Sequence, residues 1–242
     1  MKDDAFTHAL ANPGKPCIFC FPYLGGNGNS LAELAKNLTA FDVFTAKPPG
    51  HWGSKLPPSK NIVEITDIYL AEIKELCGKT YILFGHSMGG IIAYSVAHRI
   101  YMDGLFPLPD ALVLSACGCP LEFQNKKYSA MPDRELIDIM MSYDAMPPQV
   151  LEDKELMKML LPLFRADYGI LESAAKEQWS KIPVKTLLIW GEKDVIEPVS
   201  ALVRWQSFLS GEIKILPIKE ASHMFISGHE AEIAAAISMF SA

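Results

Sequence analysis

Residues 81–90 read YILFGHSMGG: a run of apolar, strand-forming residues, a glycine, a lone serine within two residues, and two more glycines. The first part has the β-branched and aromatic character of a buried strand, and residues 88–101 that follow carry helical spacing. Gly85-His86-Ser87-Met88-Gly89 therefore lies as G-x-S-x-G between a strand and a helix, the context in which that pattern forms a nucleophile elbow. In such a turn the serine backbone is strained, and side chains two residues before and two after would strike the neighbouring helix and strand. Glycine at 85 and 89 relieves both clashes. The turn lifts the Ser87 hydroxyl above the C-terminal edge of a sheet and sets the Met88 amide at a helix N-terminus, facing whatever binds the serine. His86, inside the elbow, reads as a supporting residue.

Working outward, short apolar runs alternate with helical patterns, which predicts a mostly parallel sheet covered on both faces, an α/β fold. Strands are expected at 17–22, 42–47, 80–85, 111–116, 185–191 and 212–218, and helices at 31–38, 62–76, 88–101, 202–209 and 231–240. The gap between the strands ALVLSA and KTLLIWG is too long for one crossover helix, so a helical insertion is expected at 118–180 within a single domain spanning 1–242. Two helical stretches stand in it, DRELIDIMMSY and LEDKELMKMLLPLF, joined by AMPPQ with Pro147 and Pro148 as the hinge. Six of the eleven methionines (Met131, Met140, Met141, Met146, Met157 and Met159) fall in this insertion. Some of them suit a lid over a pocket and the others ordinary helix packing.

Composition excludes several classes. Half of the 242 residues are apolar, enough for a continuous core, and the net charge of −6 comes with no concentration of Lys and Arg, which argues against nucleic acid as a partner. Neither a signal-like apolar run nor 18 consecutive apolar residues occur, so a cytoplasmic protein without a membrane span is expected, with a monomer as the default. Five cysteines do not suggest a disulfide framework. Cys17 and Cys20, three apart on a strand, should point to opposite faces, and Cys117 and Cys119 lack further ligands nearby, so no metal site is expected.

A serine is a poor nucleophile without a histidine base and a carboxylate to orient it, and with this elbow they follow along the chain in the order serine, acid, histidine. His223 lies in KEASHMF between the last strand and the last helix, and His229 lies at the helix start, where capping or solvation is natural. Asp194 in WGEKD follows the strand TLLIW; Glu192, closer to the strand end, and Glu197, before Pro198, are its competitors. The strand ALVLSA is followed by CGCP, which offers no carboxylate. The predicted triad is Ser87, Asp194 and His223. The second oxyanion donor is expected from Phe21-Pro22-Tyr23-Leu24-Gly25-Gly26, with the Leu24 amide joining that of Met88; a phosphate cradle would instead need a following GK[ST], which is absent. His51, in PPGHWG at the same sheet edge, is a candidate lining residue, and His98 reads as a helix-surface residue.

FPYLGG at 21–26, GHSMGG at 85–90, FRADYGILE at 164–172, GEKD at 191–194 and the histidine of ASHMF together resemble the type II thioesterases of non-ribosomal peptide and polyketide synthases. The resemblance implies an α/β-hydrolase fold and a stand-alone enzyme that removes acyl groups from the phosphopantetheine thiol of carrier domains. The chemistry requires no metal or organic cofactor. Medium-chain fatty acyl carrier-protein thioesterases are similar, and carboxylesterases, acyltransferases or an inactive binding protein would share the scaffold. The chain departs from the family pattern at Leu24, where alanine is usual, at PPGHWGS, and at ASHMF, which lacks Gly-Gly before the histidine. Arg165 and Asp167 match a motif expected to anchor the lid. Lys126 and Lys127, at the lid entrance, are the candidate carrier contacts.

Overall fold

A computed structural model describes residues 5–78, 80–142, 150 and 153–241. All six expected strands form, and a seventh precedes them: β1 (Phe6–Leu10), β2 (Cys17–Phe21), β3 (Asp42–Ala46), β4 (Tyr81–His86), β5 (Ala111–Ser115), β6 (Thr186–Gly191) and β7 (Ile213–Ile218). They make one sheet in the order β1-β3-β2-β4-β5-β6-β7. Every pairing is parallel except that of β1 with β3. β1 escapes periodicity because FTHAL is a half-exposed edge strand, with His8 and Ala9 open to solvent.

The central strands are buried on both faces, which explains their unbroken apolar character. Cys17, Phe19 and Phe21 join one core layer, with Leu83 and Leu112, whereas Ile18 and Cys20 join the other, with Ile82, Phe84 and Val113. Cys17 and Cys20 thus point to opposite faces as expected, and the five thiols are free.

α1 (Ala32–Asn37) and α7 (Glu230–Ser241) cover the second layer, with Leu34, Ile233 and Ile237 packed inward. α2 (Ile62–Leu76) and α3 (Met88–Asp103) cover the first. Asn61 caps α2 by accepting from the Glu64 amide at 2.9 Å. α6 (Val199–Arg204) starts earlier than the expected 202–209 and ends in a 3₁₀ turn, Trp205–Ser207.

Between β5 and β6 lie two 3₁₀ turns, Pro120–Phe123 and Tyr128–Ala130, then α4 (Asp133–Ser142) and α5 (Lys154–Ala174). α5 is longer than LEDKELMKMLLPLF suggests: it begins after Asp153, whose side chain accepts from the Glu155 and Leu156 amides, and it runs on through FRADYGIL. Pro162 lies inside the helix, on its exposed side. The expected hinge at Pro147 and Pro148, and Met146, lie outside the described residues. Among the described residues no helix is long and apolar enough to cross a membrane.

A Cβ on Gly85 would stand 2.0 Å from the Gly89 carbonyl oxygen, and one on Gly89 would stand 2.1 Å from that of Phe21 at the end of β2. Both neighbours are backbone, so neither can swing aside. Gly89→Ala should therefore cost ~3 kcal/mol or more, and a thermal melt should show the midpoint falling by several degrees.

Candidate active site

The elbow forms as the sequence predicts. Ser87 has φ 54° and ψ −121°, a conformation rare for a residue with a side chain. Its amide donates to the Ser115 carbonyl at 2.8 Å, and its carbonyl accepts from the Gly90 amide at 2.9 Å. Beneath it His86 is wholly buried, its Nδ1 2.9 Å from the Ser115 hydroxyl. Burial, reinforced by the nearby His223, pushes the His86 pKa well down, so this ring is neutral and its role is to support the turn.

β6 and β7 are neighbours in register, Gly191 opposite Ile218, so the loops that follow them emerge side by side. They are laced together: the Glu192 amide donates to the Ile218 carbonyl at 3.0 Å and the Lys193 amide to the Ala221 carbonyl at 2.9 Å. This brings Asp194 against His223. His223 Nδ1 is 2.9 Å from Asp194 Oδ2, and His223 Nε2 is 2.9 Å from Ser87 Oγ. The carboxylate can only accept, so Nδ1 carries the proton and Nε2 is left to receive the one the serine hydroxyl donates. Asp194 Oδ1 accepts from the Ile196 and Glu197 amides, each at 2.9 Å, which locks the carboxylate in place. The competitors stand elsewhere: Glu192 is exposed and accepts from the Glu220 amide, and His229 pairs with Glu232 at the surface. His98, expected on a helix surface, is half-buried and bonded to Ser180.

Ser87, Met88, Leu24 and His223 line one cavity of about 340 Å³. Its other walls are mostly apolar, with Ile91 from α3 and Phe123, Met140, Leu160, Phe164 and Tyr168 from the segment between β5 and β6. Of the methionines in that segment Met140 reaches the cavity, Met157 is buried, and Met141 and Met159 are exposed. Lys126 stands on the cavity's edge with its ammonium 5.7 Å from the centre of the Tyr128 ring, and Lys127 is exposed outside the lining.

The loop carrying Leu24 is a tight turn, closed by a 2.8 Å hydrogen bond from the Gly26 amide to the Tyr23 carbonyl, with Gly25 at φ 75°. α5 clamps it. Asp167, buried, accepts from the Gly25 amide at 2.7 Å and lies 2.9 Å from His51 Nε2, while Phe164 fills the space a Cβ on Gly25 would need. His51 therefore does not line the cavity, as its place in the sequence suggested, but is buried behind the loop that carries Leu24. Burial alone would push its pKa down; the hydrogen bond and charge of Asp167, with the Gly26 carbonyl, outweigh that and leave it raised. Arg165 points the other way, to the Ser129 carbonyl at 3.0 Å and to Asp133, tying the inserted segment to itself.

Two acidic residues, Glu122 and Glu197, enter the cavity wall, the second in a role the sequence does not reveal. Glu197 is not the partner of His223; its carboxyl folds back over Gly118, where a Cβ would lie 2.5 and 2.7 Å from the two oxygens. Burial, then the charges of Glu122 and Asp194, push its pKa up to about 8. Among the described residues no group of three His, Cys, Asp or Glu side chains could hold a metal ion.

The family model for the thioesterase domain matches residues 16–240. Among similar proteins, "Thioesterase TesA" of Mycobacterium marinum is 29% identical over 205 residues, covering 83% of this chain and 81% of its own. "Gramicidin S biosynthesis protein GrsT" of Aneurinibacillus migulanus is 26% identical over 226 residues, covering 91% and 87%. Among solved structures, "the type II thioesterase BorB from the borrelidin biosynthetic cluster" superposes with a TM-score of 0.86 at 23% identity, covering 100% of this chain and 99% of that one. The architecture is the α/β-hydrolase fold.

Two stability effects follow from the carboxyls of Asp167 and Glu197. Asp167→Ala leaves the His51 ring and the Gly25 amide without their acceptor and should cost ~3 kcal/mol, measured by denaturant unfolding. Glu197 binds its proton more tightly folded than unfolded, so between pH 4.5, its ordinary value, and about 8 it withdraws stability as pH rises. Glu197→Gln should flatten that slope, with its largest relative gain in melting temperature above pH 8.

Proposed function

The chain belongs to the thioesterase domain family, and we propose that it hydrolyses acyl thioesters held on the phosphopantetheine arm of carrier domains, clearing stalled or wrong acyl groups from a non-ribosomal peptide or polyketide synthase. The observation that carries this reading is the hydrogen-bonded series Ser87, His223, Asp194 opening on a mostly apolar cavity in a chain of that family. The name of the GrsT relative supports the biosynthetic setting.

Ser87 attacks the thioester carbonyl as His223 Nε2 takes its proton, and Asp194 holds the ring in the tautomer that permits this. The carbonyl oxygen gains charge and is met by the amides of Leu24 and Met88, in a mostly apolar cavity. The thiolate then leaves and takes up the proton held on His223 Nε2, which returns the ring to its neutral form; with a thiol pKa of ~8.5 it needs less acid assistance than an amine would. Water, deprotonated by the same histidine, attacks the acyl-enzyme and releases the carboxylic acid, restoring Ser87.

The segment at 118–180 acts as the lid: its side chains form one wall of the acyl cavity, and α5 holds the oxyanion loop through Asp167. A carrier domain must approach over this edge. Lys126, on the cavity rim, and Lys127, exposed beside it, are the cations placed to meet an acidic carrier, which an enzyme of net charge −6 would otherwise repel weakly. The enzyme acts as a single chain in the cytoplasm.

The test is a carrier domain loaded with acetyl, medium-chain or aminoacyl groups and followed by intact mass with wild type and Ser87→Ala. Wild type should clear at least one acyl class, and Ser87→Ala should be slower by ~10³-fold or more. Wild type that clears none of them while hydrolysing a simple soluble ester would be a carboxylesterase instead, and an equally active Ser87→Ala variant would remove the triad assignment.

A further inference from the structure

The acyl cavity contains a half-buried acid that the hydrolytic cycle leaves unused. Glu197 is three residues beyond Asp194, and its position is fixed at several points. Its amide donates to Asp194 Oδ1, its carbonyl accepts from Trp190 Nε1 at 3.1 Å, and its carboxyl occupies the space left by the missing side chain of Gly118. Glu122 lies beside it on the same wall and takes the available cation: Arg204 Nη1 is 2.7 Å from Glu122 Oε1. Two carboxyls thus lie near one guanidinium, which is exposed outside the lining, at a cavity whose remaining walls are mostly apolar. Among the described residues no cation pairs with the Glu197 carboxyl, and Lys126, on the same cavity, lies over the Tyr128 ring.

We propose that Glu197 is a specificity-determining residue, whose carboxylate binds the ammonium group of amine-bearing acyl chains and so favours their hydrolysis over that of apolar chains of equal size. This rests on the reading of the cavity as the acyl site, which comes from Ser87, His223 and the family and not from the carboxyls.

The charged and titratable groups around Glu197 are Glu122, Asp194 and Arg204, with the thiols of Cys117 and Cys119 behind it and Lys126 and His223 elsewhere on the cavity wall. Burial and the two acidic neighbours favour the protonated carboxyl; the Gly118 amide and Arg204 oppose them with less effect. In the empty cavity near neutral pH a proton therefore fills the place of the missing cation. An entering ammonium replaces it: the carboxyl releases its proton to solvent and an ion pair forms at a mostly apolar wall. A methyl group of the same size gains nothing comparable and leaves the acid protonated. This differs from a structural role in the wall, which glutamine would fill about as well.

The experiment uses carrier domains loaded with β-alanyl or butanoyl groups, and with 6-aminohexanoyl or heptanoyl groups, each pair differing by ammonium against methyl. Equal mixtures of a pair compete for the enzyme, and the two released acids are quantified separately, giving the ratio of kcat/KM directly. Comparing that ratio between wild type and Glu197→Gln cancels the intrinsic reactivity of the thioesters. We expect the amine-to-alkyl ratio to fall at least tenfold in Glu197→Gln for at least one pair. In wild type the ratio should rise with pH, by up to tenfold per unit below about 8, and level off above, because these amines remain charged there, as a lysine does. The wild-type pH series does not depend on the variant folding. Ratios unchanged within threefold for both pairs, or a wild-type ratio flat across that range, would overturn the proposal. If none of the four thioesters is cleaved, the thioesterase reading itself has failed; cleavage without discrimination removes only the role of Glu197.

Discussion

The backbone of Ser87 is held where a residue with a Cβ rarely sits, and much of the surrounding structure is arranged so that it cannot relax. A φ of 54° costs on the order of 1–3 kcal/mol unless the neighbours enforce it. They do so from three sides. The end of β2 comes so close that Gly89 has no room for a methyl group, the start of α3 closes on Gly85 in the same way, and β5 holds the Ser87 amide through the Ser115 carbonyl. Because β2, β4 and β5 are adjacent parallel strands with fully buried faces, shifting the elbow would mean shifting the middle of the sheet.

The remaining site groups come from loops at the same end of the sheet, as parallel strands require: the turn carrying Leu24 after β2, Asp194 after β6 and His223 after β7. The sheet order places the β6 and β7 loops together and sets β2 directly beside β4. Thus two residues 136 positions apart in sequence meet at 2.9 Å through strand order, without any local signal that they will do so.

The strands of this sheet were legible because burial on both faces writes itself as continuous apolar runs, and the elbow was legible because its glycines answer a steric demand only a few residues long. β1 was not, since a half-exposed antiparallel edge strand needs neither continuous nor strictly alternating apolar residues. The extent of α5 beyond Phe164 was not, since the residues that bury it there, among them Tyr168, Ile170 and Leu171, pack against elements distant in the sequence. Asp167 shows the harder limit. The RAD stretch announces an anchor, but the partners, the Gly25 amide 142 residues away and the His51 ring 116 residues away, depend on where α5 is laid down across the sheet edge. The same holds for His51: its loop reaches the right edge, and its side chain turns behind the Leu24 turn instead of into the cavity.

Asp194 and Glu197 carry the same lesson into electrostatics, for they share one loop and differ in what surrounds their oxygens. Asp194 is met by two backbone amides and the Nδ1–H of His223, so its carboxylate is saturated with donors that it also orients. Glu197 is met by burial, by Glu122 and by Asp194 itself, with the Gly118 amide in partial compensation. The first arrangement fixes a charge where the base needs one, and the second leaves a carboxyl whose ionisation waits on a ligand. Residue type could not separate these roles, and in the sequence the two acids were rivals for one position. In the folded loop they are complementary: by holding the Glu197 amide, Asp194 helps aim the second carboxyl into the cavity served by the first.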